Sequence, residues 1–145
     1  MNVSACMTAN PRVCAPGDTI RDVARAMKEV DSGFLPVGEN DRLVGMVTDR
    51  DLAVRAIAEG MGPDTPVREV MTREVQYCFE DNDLDDVAAR MSDLQVRRLP
   101  VLNRDKRLVG VISLGDMSHA DDDGGIRTAA ALSQVTEPSS RHNQH

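Results

Sequence analysis

The chain states nearly the same set of motifs twice, and a duplication of this length leaves few folds open to it. Met7-Thr8 returns as Met71-Thr72, Asp22-Val23-Ala24 as Asp86-Val87-Ala88, and Leu35-Pro36-Val37 as Leu99-Pro100-Val101, each 64 positions on. One inserted residue then moves the offset to 65, so that Arg42-Leu43-Val44-Gly45 returns as Arg107-Leu108-Val109-Gly110. Each copy closes on a glycine followed by a hydroxyl and an acid, Gly45-x-x-Thr48-x-x-Asp51 and Gly110-x-x-Ser113-x-x-Asp116. A period this long implies two supersecondary units, neither able to bury its apolar face alone. Function is therefore expected at the seam between the copies.

The 145 residues suit one compact domain or two small ones. Aromatic residues make up only 2% of the chain, with no Trp, one Tyr and two Phe, so a core must be built from Val, Leu, Ile, Ala and the eight Met. Met27 and Met91 fall on helical stripes and are expected as core filler. A net charge of −7 argues against duplex nucleic acid, which asks for a basic face. No apolar run reaches the length of a membrane span, and the start of the chain lacks the basic-then-apolar pattern of a signal peptide. A soluble cytoplasmic protein is expected. Cys6, Cys14 and Cys78 have neither a C-x-x-C spacing nor an even count, so no zinc knuckle or disulfide framework is indicated. Cys14 and Cys78 are equivalent positions and are expected to fill the same small buried site in each copy. His119, His142 and His145 lack the spacing of a helical metal pair.

Within the first copy Ile20, Val23, Ala24, Met27 and Val30 recur at helical spacing. Thr19 with Asp22 reads as a capping pair at the start of that helix, and Gly33 as its end. A strand is expected from Phe34 to Val37, a turn at Gly38-Glu39-Asn40-Asp41, a second strand from Arg42 to Val47, and a helix through about Ala58. The second copy repeats this with a stripe of Leu84, Val87, Ala88, Met91 and Leu94, strands over Leu99 to Leu102 and Arg107 to Ile112, and a short helix after Asp116. Counting a brief strand near Val13 or Tyr77, each unit reads β-α-β-β-α, an α/β (α+β) arrangement. The boundaries fall at 1–60 for repeat one, 61–68 for a Gly- and Pro-rich linker, and 69–120 for repeat two. Over 121–145 an acidic linker, a short Ala-rich helix and a disordered end are expected.

The two Gly-x-x-[Thr/Ser]-x-x-Asp segments carry the candidate chemistry. Each stands where a strand gives way to a helix. There a hydroxyl can bind phosphate, and a carboxylate one turn later can accept both hydroxyls of a ribose. The same spacing also fits a plain capping box, as Thr19 and Asp22 do with no ligand in view. Both roles can coexist. No activated nucleophile, histidine base or metal cluster accompanies Thr48 and Asp51, and the phosphate loop G-x-x-x-x-G-K-[ST] is absent, so an enzyme is not expected.

The double repeat, the Met-Thr openings, the Leu-Pro-Val strands and the paired Gly-x-x-[Thr/Ser]-x-x-Asp segments together resemble a tandem pair of CBS domains, also called a Bateman module. The resemblance covers roughly residues 5 to 120, and within the family the chain looks like the stand-alone bacterial proteins that consist of little besides the pair. It implies two repeats packed with pseudo-twofold symmetry, a cleft on either side of the seam for adenosine-containing ligands, and a flat, disc-like homodimer. Carried onto this chain, it implies that Asp51 and Asp116 hold ribose hydroxyls and that Thr48 and Ser113 contact phosphate. Ser32-Gly33-Phe34 and Val96-Arg97-Arg98 would line the base and phosphate path. The segments Thr8 to Val13 and Thr72 to Tyr77 would supply backbone contacts to the base. In the family arrangement the cleft at Asp51 would gather Thr48, Arg50, Arg97 and Arg98, while the cleft at Asp116 gains no comparable cations. Arg97-Arg98 and Arg50 also fit a second description, that of solvated surface charge.

The resemblance therefore implies a regulatory module with no required cofactor, taking AMP, ADP, ATP or a related compound as a regulatory ligand and signalling to an unidentified protein partner. The alternative is an interaction or dimerisation module whose nucleotide sites are vestigial. Neither nucleic acid nor membrane is expected as a partner.

Overall fold

The computed structural model describes residues 1–118. The features expected over 121–145, and all three histidines, lie outside the described residues. The chain forms two compact units whose limits are not those of the sequence repeats: Arg12–Val75 makes one, and Met1–Pro11 joins Gln76 onward to make the other. We call them the first-copy and second-copy units after the repeat that supplies most of each.

In the second-copy unit, strands β1 (Thr8–Ala9), β4 (Cys78–Phe79), β5 (Arg98–Leu102) and β6 (Leu108–Ser113) form a sheet in the order β1-β6-β5-β4. The pairs β1–β6 and β5–β6 are antiparallel, and β4 runs parallel to β5. In the first-copy unit, β2 (Phe34–Glu39) and β3 (Arg42–Thr48) make the antiparallel hairpin. Its edges are single bridges, Cys14 beside Val37 and Thr72 beside Met46. The order Thr72, β3, β2, Cys14 thus repeats the order β1, β6, β5, β4. Even the irregularities recur, with register shifts at Val37/Gly38 and at Val101/Leu102.

The helices follow the same duplication. Helix α1 (Ile20–Val30) is capped by the Thr19 hydroxyl, which accepts from the Asp22 N–H. Helix α3 (Leu84–Leu94) is capped by Asp83, at the equivalent position. Each ends on a left-handed residue, Asp31 (φ 52°) and Gln95 (φ 56°), so Gly33 is not the end of α1. A short helix follows each hairpin. It is α2 (Asp49–Asp51), continued as a π-helical run over Leu52–Ile57, in one unit and α4 (Leu114–Ser118) in the other.

Each unit has its own core. Leu84, Val87, Ala88 and Met91 face one together with Leu99, Val101 and Ile112, while Leu94 is partly buried against it. Ile20, Val23, Ala26 and Met27 face the other with Leu35, Val37 and Val47. The α1 stripe differs from the expected one at two places, since Ala24 and Val30 lie on the outer side and Ala26 is buried. A 100° step per residue puts Ala26 beside Val23 and Met27, and a small side chain suits either face. Cys14 and Cys78 are buried as expected, and burial pushes both thiols up to about 12. Among the described residues no helix is long and apolar enough to cross a membrane.

Candidate functional site: a carboxylate cradle in each unit

Strand β3 ends at Thr48, whose backbone is still extended (φ −117°, ψ 163°) while the next residue begins the helix. That corner leaves N–H groups without helical partners, and the side chains supply them. The Thr48 hydroxyl accepts from the Asp51 N–H at 3.1 Å, and Asp51 Oδ2 accepts from the Thr48 N–H at 3.0 Å. The second-copy unit makes the same exchange with the same lengths. Ser113 Oγ accepts from the Asp116 N–H at 3.1 Å, and Asp116 Oδ2 accepts from the Ser113 N–H at 3.0 Å. At the Thr19 cap only the first half of this exchange occurs, and the Asp22 carboxylate lies 3.9 Å from Arg25 instead.

The exchange fixes each carboxylate by one oxygen and leaves the other. Asp51 Oδ1 lies 3.9 Å from Arg55 Nη1, a loose i,i+4 pair. The hydroxyl, having accepted, keeps its proton to donate. Thr48 and Asp51 are 4% and 7% exposed, the two buried polar side chains among the described residues, whereas Ser113 and Asp116 are half-buried. Burial pushes the Asp51 carboxyl above the usual range, against the pull of the Thr48 backbone and hydroxyl and of Arg55 and Arg50.

The residues flanking each cradle also correspond. The Asp49 N–H donates to the Gly33 carbonyl at 2.9 Å, and the Leu114 N–H to the Arg97 carbonyl at 3.1 Å. Phe34 stands opposite Thr48 and Arg98 opposite Ser113. Phe34 and Val96 are buried, Arg98 is half-buried, and Arg50 and Arg97 are exposed. Thr72 exchanges backbone hydrogen bonds of 2.9 and 2.8 Å with Met46, two residues before Thr48. Thr8 stands opposite Val111, two residues before Ser113. Val13 is 40% exposed, and Tyr77 meets Phe79 edge to face at 5.6 Å.

The expected site residues thus divide into two sets. Val13, Gly33, Phe34, Thr48, Arg50, Asp51 and Thr72 belong to the first-copy unit, and Thr8, Tyr77, Val96, Arg97, Arg98, Ser113 and Asp116 to the other.

Two features of the cradles were not expected from the sequence. A Cβ on Gly33 would fall 2.5 Å from Asp49 Oδ2, so the glycine admits an acid that also accepts the Arg50 N–H at 2.8 Å. The glycine that opens each Gly-x-x-[Thr/Ser]-x-x-Asp motif serves the Met-Thr opening of the other repeat. A Cβ on Gly45 would meet Met71 Sδ at 2.6 Å and the Thr72 carbonyl at 2.9 Å. On Gly110 it would meet Met7 Sδ and the Thr8 carbonyl at the same distances. The recurrence of Met-Thr and Gly in both copies was the available signal.

The family model described as CBS domain matches residues 3–57 and 67–123. The CBS domain-containing protein YhcV of Bacillus subtilis (strain 168) is 38% identical over 117 residues, which span 81% of this chain and 83% of that protein. The CBS domain pair of protein MJ0100, solved in complex with 5′-methylthioadenosine and S-adenosyl-L-methionine, matches with a TM-score of 0.72 at 28% identity, covering 81% of this chain and 93% of that one. CBSX2, solved in complex with AMP, matches with a TM-score of 0.72 at 27% identity over 82% and 94% of the two chains.

Proposed function

Because the chain belongs to the CBS-domain family and carries two CBS domains in tandem, we propose that it is a non-catalytic sensor of an adenosine-containing ligand such as AMP, ADP or ATP, and that it reports to a protein partner. The observation that carries this reading is the cradle made twice over. Each is a carboxylate pinned by one oxygen at a strand-to-helix corner with its second oxygen and a neighbouring hydroxyl still able to bond. A carboxylate held in this way is preorganised to accept the two hydroxyls of a ribose, and the Thr48 and Ser113 hydroxyls to donate to phosphate. Solved relatives that hold AMP, or 5′-methylthioadenosine with S-adenosyl-L-methionine, support an adenosyl ligand. Among the described residues no group of three or more His, Cys, Asp or Glu side chains could hold a metal ion.

Binding becomes a signal only if the ligand prefers one of two states of the protein. In this reading the protein works as a homodimer. The same cradles also support a second reading, an interaction module with vestigial sites, because each exchange of hydrogen bonds already satisfies its own members as a cap.

Thermal unfolding with AMP, ADP, ATP, S-adenosyl-L-methionine and adenosine separates the two. A ligand that binds only the folded state raises the midpoint, by about 2.7 kcal/mol of stabilisation at a hundred times Kd. At least one of these compounds should do so in the wild type and none in Asp51→Ala/Asp116→Ala. No shift with any of them in the wild type supports the vestigial-site reading.

A further inference from the structure

Asp51 is the more deeply buried of the two cradle carboxylates, and burial favours the protonated acid. Oδ2 accepts from the Thr48 N–H, so a proton on this carboxyl would sit on Oδ1. That is the oxygen a ribose would need as an acceptor. Whatever keeps Asp51 ionised therefore matters more here than at the half-buried Asp116.

Arg55 is placed to do so. It stands one turn beyond Asp51 on the π-helical run Leu52–Ile57, just beyond which the Ala58 N–H reaches back five residues to the Ala53 carbonyl at 2.9 Å. Such widened turns are uncommon within helices and recur at functional sites. Arg55 Nη1 lies 3.9 Å from Asp51 Oδ1. At that distance the guanidinium makes no hydrogen bond, so Oδ1 keeps its lone pairs for a ligand. Its charge still acts, because an opposite charge within about 4 to 6 Å favours the ionised acid.

Arg50 is the other cation acting on Asp51. Helix α1 presents Arg21, Arg25 and Lys28 to the groove it shares with the π-helical run, and β2 places the uncharged Phe34 opposite Thr48. The Asp49 carboxylate, close against Gly33, is the neighbouring acid. The second copy has neither cation of the corner: its sequence carries Ala120 in place of Arg55 and Gly115 in place of Arg50.

We propose that Arg55 is a positioning residue of the first-copy cradle, holding the outer oxygen of Asp51 charged and open for the ligand's hydroxyls, so that this cradle still binds at mildly acidic pH. The inference rests on the adenosyl-sensor reading above and adds how one of its two sites is kept competent.

Two variants and two readouts test this. Arg55→Met keeps an unbranched apolar stem without the charge, and Arg55→Lys keeps the charge. The side chain is 49% exposed, so neither substitution threatens the core. Without ligand, the carbon-13 signal of the Asp51 carboxyl should titrate at higher pH in Arg55→Met than in the wild type and return toward it in Arg55→Lys. The binding probe is adenosine, whose lack of phosphate keeps a lost Arg55 charge from being read as a lost phosphate contact. In calorimetry, Arg55→Met should weaken one of the two binding events, by about two- to fivefold more at about pH 5 than at about pH 8, as a half-exposed ion pair allows. The other event should keep its wild-type affinity at both, and Arg55→Lys should restore most of the loss. An Arg55→Met carboxyl that titrates as the wild type does overturns the role of Arg55 and leaves the sensor reading standing. So does a loss of binding that is absent, equal at both pH values or shared by both events. A wild type that binds no adenosine at either pH also overturns it, since a carboxylate held open for ribose hydroxyls should take them without phosphate. The sensor reading then rests on the charged compounds tried above.

Discussion

The two cradles share their hydrogen bonds and their backbone surroundings and differ in burial and in the charge beside them. Thr48–Asp51 and Ser113–Asp116 are closed by the same pair of contacts at 3.0 and 3.1 Å. Gly45 and Gly110 are approached by Met and Thr from the facing segment at matching distances. Yet Asp51 is buried and Asp116 half-buried, Arg50 stands where the other copy has Gly115, and Gly33-Phe34 where it has Arg97-Arg98. Backbone geometry is the same in the two cradles, whereas burial and charge are not. If the cradles bind a ligand as proposed, it is burial and charge that would make them unequal.

That contrast breaks most easily at the glycines. Gly45→Ala and Gly110→Ala each drive a Cβ against a carbonyl oxygen and a Met sulfur. Each should cost about 1–3 kcal/mol of stability in urea unfolding, by the same amount within error. A large loss at one and none at the other would show that the Met-Thr openings are not equivalently seated.

The carboxylates should separate the copies. Asp51→Ala leaves the Thr48 N–H buried without an acceptor and should cost about 1–3 kcal/mol. Asp116→Ala removes a cap at a wetter corner and should cost about 0.5–2 kcal/mol, with Asp51→Ala the worse of the two. Equal losses would mean that burial does not distinguish the cradles.

The smallest effect is in pH. Burial raises the folded-state pKa of Asp51, so the folded chain keeps that proton to higher pH than the unfolded chain does. The contribution is full below the unfolded value of about 4 and declines as pH rises through the folded value. Asp51→Asn keeps an acceptor for the Thr48 N–H without the buried charge. Its stability relative to the wild type should therefore climb between about pH 4 and neutrality, and a flat difference would contradict the shift.

Most of the fold was legible because the duplication aligns helix stripes, strands and turns independently of one another. The exchange of leading segments was not. A Met-Thr dipeptide reads as the start of its own repeat, whereas the pairing of β1 with β6, the Thr72–Met46 bridge and the close approach to Gly110 and Gly45 show that Met7-Thr8 packs on the second hairpin and Met71-Thr72 on the first. Ala24 and Val30 were misplaced because periodicity identifies an apolar stripe without fixing its edges. The cradles were legible as hydroxyl-x-x-acid, and the structure shows the capping half of that description directly.

The central claim, that both cradles hold ligand and are not caps alone, is tested most directly by calorimetric titration of ADP into the wild type, Asp51→Ala and Asp116→Ala. Two binding events per chain, unequal in affinity, are predicted for the wild type. Each variant should lose a different one of the two and keep the other. If both variants keep both events at wild-type affinity while only their unfolding midpoints fall, Asp51 and Asp116 are caps and nothing more.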